Sequence, residues 1–306
     1  MALDRFNITL HASLLAALGL GLGTLGCRAE QAPEAKTDGA EQPHAFNPDA
    51  KVITDHSERR EALVLVEPGA EPRAVLRYAE QAPSRSIALT MMTGQSGDQP
   101  MMDYVVTWTG LEPDGESRRY LYDVVSATYA GEFAKLSQMS EMEARIQDVA
   151  RRAQEGVGGQ AVGSATGLER VVQTRGSANV TPSIGWLIQT IAVTMPNEPV
   201  GVGAVWTQTS HREQDASTTD ARYTLLERDG DLVTIAYEST EAYDKANMLG
   251  SLSSKGRLVI APTDPLPRSG SLVITVRTAL PGHEGQPGTS MDLQMGWTIR
   301  EPAQDR

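Results

Sequence analysis

RYTLLERDGDLVTIAYE, residues 222–238, has the pattern of a β-hairpin. Asp229-Gly230 is a strong signal for a two-residue turn between antiparallel strands. Apolar residues alternate with polar ones on both sides of this turn. They are Tyr223 and Leu225 before it, and Val233, Ile235 and Tyr237 after it. Alternation with period two buries one face of each strand and leaves the other in water, which is typical of an antiparallel sheet.

Similar patterns extend through most of the chain and predict about ten strands. The last of them, Ser290–Arg300, alternates most strictly. Val157–Gly167 is rich in glycine and Ala242–Lys255 is poor in large apolar residues, so both are predicted to be loops. Other predicted strands are Arg73–Tyr78, Arg85–Thr93, Met101–Thr109, Arg119–Thr128 and Leu168–Thr174.

Two predicted helices interrupt the strands. From Glu132 to Ala153, apolar residues recur at three- and four-residue steps, the period of an amphipathic helix. A second helix is expected to open at Thr181-Pro182, because threonine is a good N-cap and proline fits the first turn, and to run to Met195. The predicted fold class is therefore α+β, mainly antiparallel β. A curved sheet or half-barrel packs against the two helices, and a division into two β lobes is the alternative to a single core.

The segment LLAALGLGLGTLGC, residues 14–27, predicts export. It carries no charge and is shorter than the roughly 20 residues of a membrane-spanning helix, as in the apolar part of a signal peptide. Thr24-Leu25-Gly26-Cys27 resembles the lipobox of bacterial lipoproteins, in which the cysteine is acylated and becomes the new N-terminus. Thr24 and Leu25 depart from the usual residues of that motif, so an ordinary secretory leader cut elsewhere is the alternative.

The resemblance implies that Cys27 carries acyl chains such as palmitate and anchors the protein in a membrane of the cell envelope. Arg28 after the cysteine resembles outer-membrane lipoproteins, so the expected location in a Gram-negative cell is the outer membrane. The segment that follows is rich in Ala, Glu, Pro and Gln, which predicts a disordered tether. The expected divisions are a signal peptide at 1–26, lipidated cysteine and tether at 27–50, an N-terminal β lobe at 51–131, a helical middle at 132–200 and a C-terminal β lobe at 201–306.

Composition and motifs disfavour several functions. A net charge of −12 without a long basic stretch disfavours nucleic-acid binding, which needs clustered Lys and Arg. Cys27 is the only cysteine, and no histidines have metal-ligand spacing, so we expect no metal and no cofactor. The motifs GxSxG, SxxK and HExxH are absent from the sequence. We therefore expect a non-enzymatic protein, with an envelope hydrolase that uses His211 as the alternative.

The expected function is that of a membrane-anchored module that binds a lipid, a peptide or an envelope protein, or serves as a scaffold. A purely structural surface protein is a further alternative, and the oligomeric state stays open. A carrier needs a ligand cavity, and Met291, Met295 and Trp297 on the last strand are its candidate lining residues. The turn Pro199–Gly201 followed by Trp206 resembles uncharacterised secreted bacterial lipoproteins. The predicted curved sheet resembles the half-barrel carriers of bacterial lipoprotein transport, and neither resemblance implies an activity.

Overall fold

The computed structural model describes residues 46–56, 59–80, 83–93, 98–134, 148, 151, 154–176, 184–212, 217–245, 248–280 and 289–302. Within these ranges there are thirteen β-strands and one bounded α-helix, α1 (Ile184–Ile191). The strands are β1 (Thr54–Asp55), β2 (Arg59–Glu67), β3 (Arg85–Thr93), β4 (Gln99–Gly110), β5 (Arg118–Tyr129), β6 (Gly158–Ser164), β7 (Gly167–Arg175), β8 (Val205–Arg212), β9 (Ser217–Asp229), β10 (Leu232–Lys245), β11 (Met248–Ile260), β12 (Ser269–Leu280) and β13 (Thr289–Arg300).

All thirteen strands belong to one sheet in the order β1-β7-β6-β5-β4-β3-β13-β12-β11-β10-β9-β8-β2, and every neighbouring pair is antiparallel. The two edge strands are consecutive in the chain, since β1 ends at Asp55 and β2 begins at Arg59. A link this short spans at most about 14 Å. The two edges of the sheet therefore lie close together, which requires the sheet to curl strongly.

Helix α1 is buried on most of its surface. Ile184, Leu187, Ile188 and Ile191 belong to the same hydrophobic cluster as buried residues of β3 to β13. At Gly185 the helix comes so close to its neighbours that an added Cβ would lie 2.7 Å from His56 Cδ2 and 2.8 Å from the Tyr122 hydroxyl. The apolar inner side of the curled sheet therefore closes around this short helix.

The predicted α+β class is wrong. Within the described ranges the fold is almost entirely one antiparallel sheet with one short helix, rather than a sheet against which two helices pack. The first predicted helix lies mostly outside the described residues, although Asp148, Arg151 and Gln154 are helical. The inner cluster also includes side chains from both predicted lobes, such as Trp108 of β4 and Trp206 of β8.

The second predicted helix is shorter than expected because distant groups bind the backbone that follows it. The Tyr78 hydroxyl donates to the carbonyl of Val193 at 2.9 Å, and Trp206 Nε1 donates to that of Thr194 at 2.8 Å. The Met195 amide donates to the Thr166 carbonyl at 2.7 Å. These bonds hold residues 193–195 outside the helix, in an irregular conformation that neither propensity nor periodicity could indicate.

Two predicted loops are strands. Val157–Gly167 contains β6, whose glycines permit close contact with its neighbours: a Cβ at Gly159 would collide with the Val172 carbonyl and the Tyr122 hydroxyl. Ala242–Lys255 contains the end of β10 and half of β11. In contrast, the hairpin at Asp229-Gly230 is confirmed, with β9 and β10 paired on either side of a turn in which Gly230 has φ 57°.

The predicted strand Arg73–Tyr78 is mostly irregular, with a single bridge between Ala74 and Val200. Its backbone finds other partners. The Tyr78 amide donates to the Ala165 carbonyl at 2.9 Å. The buried Arg118 guanidinium donates to the carbonyls of Tyr78 and Ala79 at 3.0 and 2.7 Å. Side-chain donors thus replace a strand ladder in this segment.

A buried ion pair fixes the loop between β11 and β12 to β3. Arg85 donates from Nε and Nη2 to the two carboxylate oxygens of Asp264, both at 2.9 Å, and the side chains are 9% and 1% exposed. The same carboxylate accepts the Leu266 amide at 3.0 Å. Since the charges are desolvated, removal of one leaves the other buried without compensation.

We predict that Asp264→Asn lowers the free energy of unfolding by about 3–5 kcal/mol, because it removes one charge of a buried pair. The matched control is Glu238→Gln, which breaks the exposed pair between Glu238 and Lys255 and should cost at most about 1 kcal/mol. Urea unfolding at neutral pH measures both values. Equal losses for the two variants would contradict the structural role given to Asp264.

Candidate functional site

The inner face of β8 to β11 changes from apolar to polar along the strands. At one level, Trp206, Tyr223 and Tyr237 lie opposite one another on β8, β9 and β10. The ring centroids of Trp206 and Tyr223 are 5.5 Å apart, and those of Tyr223 and Tyr237 are 5.4 Å apart. We call these three rings the aromatic layer. On one side of it the inner face carries Leu225, Val233 and Ile235 and belongs to the apolar core.

On the other side of the aromatic layer the inward residues are mostly polar. The sheet register places Gln208, Ala221, Ser239 and Ser254 side by side on β8, β9, β10 and β11. The next level holds Ser210, Thr219, Glu241 and Leu252, and β8 ends with Arg212. Buried polar side chains at this density require partners, so this half of the inner face is not an ordinary core.

Helix α1 packs over the polar half and borders a partly open cavity of about 30 Å³. Trp186, Gln189 and Thr190 of the helix form one wall, and the inward residues of β8 to β11 form the other. We call this space the polar pocket. A cavity of this size holds about two water molecules.

One cation and one anion face each other in the polar pocket. Arg212 Nη1 lies 3.5 Å from Glu241 Oε1, and the two side chains are only 12% and 9% exposed. Charge-assisted N–H···O bonds are usually about 2.7–2.9 Å long, so this pair is a loose one. Its Coulomb interaction is nevertheless strong, because few waters screen it.

Gln189 and Ser254 line the polar pocket and are 6% and 3% exposed. Gln189 Oε1 and Ser254 Oγ are fully buried and have no hydrogen-bond partner within the described part of the chain. A buried polar atom without a partner costs about 1–3 kcal/mol. Each of these residues therefore carries a hydrogen-bonding atom that no described group satisfies.

His56 lies behind the polar pocket, between the two edges of the sheet. It is 7% exposed and contacts α1 at Gly185, and its backbone amide donates to the Val171 carbonyl at 2.9 Å. Burial and, to a smaller extent, the positive charge of Arg212 lower the pKa of His56 to about 4, against the opposing effect of the Asp55 carboxylate. The imidazole is therefore neutral at physiological pH.

The residues predicted as a ligand cavity do not line the polar pocket. Trp297 is 1% exposed, and its ring centroid is 5.9 Å from that of Tyr104. Met295 packs against the same core, and the side chain of Met291 lies outside the described residues. Cys27 also lies outside them, so its lipidation stays a prediction.

His211, the candidate catalytic residue, lies on the outer face of β8, where its Nδ1 is 3.4 Å from Thr218 Oγ1. The polar pocket lies on the opposite face of the same strand. Among the described residues, no group of three or more His, Cys, Asp or Glu side chains could hold a metal ion. Nor does any helix in the described ranges have the length and apolar character needed to cross a membrane.

Sequence reasoning missed Gln189, Arg212, Glu241 and Ser254. A signal was present in β8, where Gln208, Ser210 and Arg212 continue the two-residue period of the buried Trp206. Polar residues that share the face of a core tryptophan indicate a polar interior. Ser254 gave no such signal, because the segment from Ala242 to Lys255 was predicted to be a loop, and Glu241 lies between that segment and the predicted strand that ends at Glu238.

Comparison with known proteins adds no relative: the chain matches no protein-family model, no curated protein and no solved structure. The interpretation of the polar pocket therefore depends on the residues of this chain alone.

The neutral state of His56 predicts a pH-dependent stability. An unfolded histidine titrates near 6.5, whereas folded His56 titrates near 4, so the unfolded state binds the proton first as pH falls. The contribution of His56 to the free energy of unfolding is fully present above pH 6.5 and decreases as the pH falls from 6.5 to 4. Between pH 7.5 and 5 the loss should be about 2 kcal/mol.

We predict that His56→Gln reduces the loss of unfolding free energy between pH 7.5 and 5 by about that amount. Urea unfolding at the two pH values measures it, and His211→Gln on the outer face is the control that keeps the wild-type difference. An unchanged pH dependence in His56→Gln would show that the buried imidazole does not titrate as described.

Proposed function

We propose that this protein is an exported, lipid-anchored protein of the cell envelope whose folded part is a non-enzymatic binding module. The proposal joins two observations. The leader ends in Gly26-Cys27, which resembles a lipobox. The folded part has a polar pocket whose lining residues include buried polar atoms without hydrogen-bond partners.

The observation that carries the binding function is the polar half of the inner face. A sheet that only needed a core would continue its apolar residues past the aromatic layer. Instead, Gln208, Ser239 and Ser254 are buried there at 4%, 5% and 3% exposure, together with the Arg212–Glu241 pair. Burial of polar and charged groups is unfavourable unless their interactions compensate for it. Binding of a polar ligand supplies such interactions.

The first described residues, Phe46 and Asn47, pack against the sheet. The Asn47 amide donates to Gln160 Oε1 at 3.2 Å, and Gln160 Nε2 donates to the Asn47 carbonyl at 3.1 Å. The Arg119 guanidinium lies 5.3 Å from the ring centroid of Phe46. The chain is thus attached to β5 and β6 from Phe46 onward. In this proposal, the residues between Cys27 and Phe46 connect the acylated N-terminus to the sheet.

We predict that cells producing the wild-type chain and supplied with an alkyne analogue of palmitate incorporate the label into this protein, whereas Cys27→Ser abolishes it. The reason is that the acyl chains attach at this cysteine. Gel fluorescence after coupling of a dye measures the incorporation. An unlabelled wild-type protein that is still exported would contradict the anchor and favour an ordinary secretory leader.

Binding can be tested by a thermal-shift screen of the full chain against a library of small polar metabolites. At least one compound should raise the melting temperature of the wild type. Ser254→Leu fills the polar pocket and should abolish this shift. Ser253→Leu is the matched control, because Ser253 is exposed on the opposite face of β11 and the shift should persist. A shift that survives in Ser254→Leu would contradict binding in the polar pocket.

A further inference from the structure

We propose that two copies of this chain associate through β2, by antiparallel pairing of the two β2 strands about a two-fold axis. This inference goes beyond the proposed binding function and does not depend on the polar pocket. It is argued from three properties of β2: one side of the strand is unpaired, its middle exposes apolar side chains, and its two ends carry opposite charges.

Strand β2 lies at an edge of the sheet and is paired on one side only. Among the described helices and strands, β8 alone runs alongside it. Within the described ranges, no backbone hydrogen bond links Arg59–Glu67 to any segment other than β8. The strand has nine residues and is about 30 Å long, whereas the other edge strand, β1, has two residues. An edge of this length presents unpaired N–H and C=O groups with which another strand can pair.

The middle of β2 exposes apolar surface to water. Val64 and Val66 are 52% and 50% exposed, although they belong to a strand of the sheet. Leu63 and Leu65, in contrast, pack against the hydrophobic core. The leucines therefore hold the strand in place, while the valines remain accessible. A second strand that covers the valines removes apolar surface from water, which favours association.

The sequence of β2, RREALVLVE at residues 59–67, is complementary to itself in the antiparallel direction. A pairing centred on Leu63 places residue 59 of one copy opposite residue 67 of the other, and thus an arginine opposite a glutamate. The two-fold axis repeats this pair at the other end of the interface. Between the two ends, Val64 lies opposite Ala62 of the second copy. Opposite charges directly across a strand pair are favourable, and like charges are unfavourable.

The register between β2 and β8 agrees with this pairing. The first and last residues of β2, Arg59 and Glu67, are paired with His211 and Val205 of β8. These two β8 positions are an even number of residues apart and so lie on the same face, the outer one. One register shift on each side of Leu63 preserves this relation. Both charged positions therefore belong to one face, as a pairing of residue 59 with residue 67 requires.

A second copy of the chain fits these features better than an unrelated strand. Any extended peptide can add to a sheet edge through its backbone. The match of an arginine and a glutamate at symmetric positions favours β2 itself as the partner. The copies repel one another at long range, because each carries a net charge of −12, so association needs a local attraction of this kind. Two-fold pairing also occupies both β2 edges, and the assembly ends at two copies.

Sedimentation velocity of the full chain at a series of micromolar concentrations tests the inference, and we expect a reversible equilibrium between monomer and dimer. Val64→Lys places a charge in the middle of the interface and should weaken the dimer at least tenfold. Val273→Lys is the matched control, because Val273 is 40% exposed but lies on β12, which is paired on both sides. This variant adds the same charge and should dimerise like the wild type. Circular dichroism establishes that both variants are folded.

A reversal of charges tests the register. Glu67→Arg places arginines opposite each other at both ends of the interface and should weaken the dimer severalfold. Adding Arg59→Glu to the same chain restores opposite charges and should recover the wild-type dimer, which a mere defect in the fold of the monomer would not allow. A wild type that stays monomeric, equal losses in the two lysine variants, or no recovery in the doubly changed chain would overturn the inference.

Discussion

The adjacent rings of Trp206, Tyr223 and Tyr237 divide the inner face of β8 to β11 into an apolar region and a polar region. On one side, burial of apolar surface stabilises the fold, at about 25 cal/mol per Å². On the other side, the same strands bury hydroxyls, amides and an ion pair, which stabilise nothing unless they find partners. Helix α1 extends over both regions. Its isoleucines and Leu187 complete the core, and Gln189 faces the polar pocket.

Local patterns in the sequence predicted the strands well wherever a strand has an apolar inner face. The hairpin at Asp229-Gly230 and strand β3 are examples, because turn chemistry and alternation lie within a few residues. The part of β11 up to Lys255 was predicted to be a loop because Ser254 replaces an apolar residue on its inner face, and β6 was missed because its glycines permit close packing. The length of α1 depends on Tyr78, more than a hundred residues away, and no local pattern contains that information.

The polar pocket was predictable only in part. The parity of β8 places Arg212 on the same face as Trp206, so an inward arginine could have been inferred from the sequence. The contact between Arg212 and Glu241 depends on the register of three strands, and the position of Gln189 depends on how α1 packs. These are long-range consequences of the fold. Of the residues expected to form a cavity, Trp297 belongs to the hydrophobic core and Met295 packs against it.

The central claim is that the buried polar atoms of the inner face are partners for a ligand. A crystal structure of the chain with the compound that stabilises it most in the metabolite screen tests it most directly. We expect density for that compound in the polar pocket, against the inward polar side chains of β8 to β11. Density for the compound elsewhere on the protein, with water alone in the polar pocket, would contradict the claim.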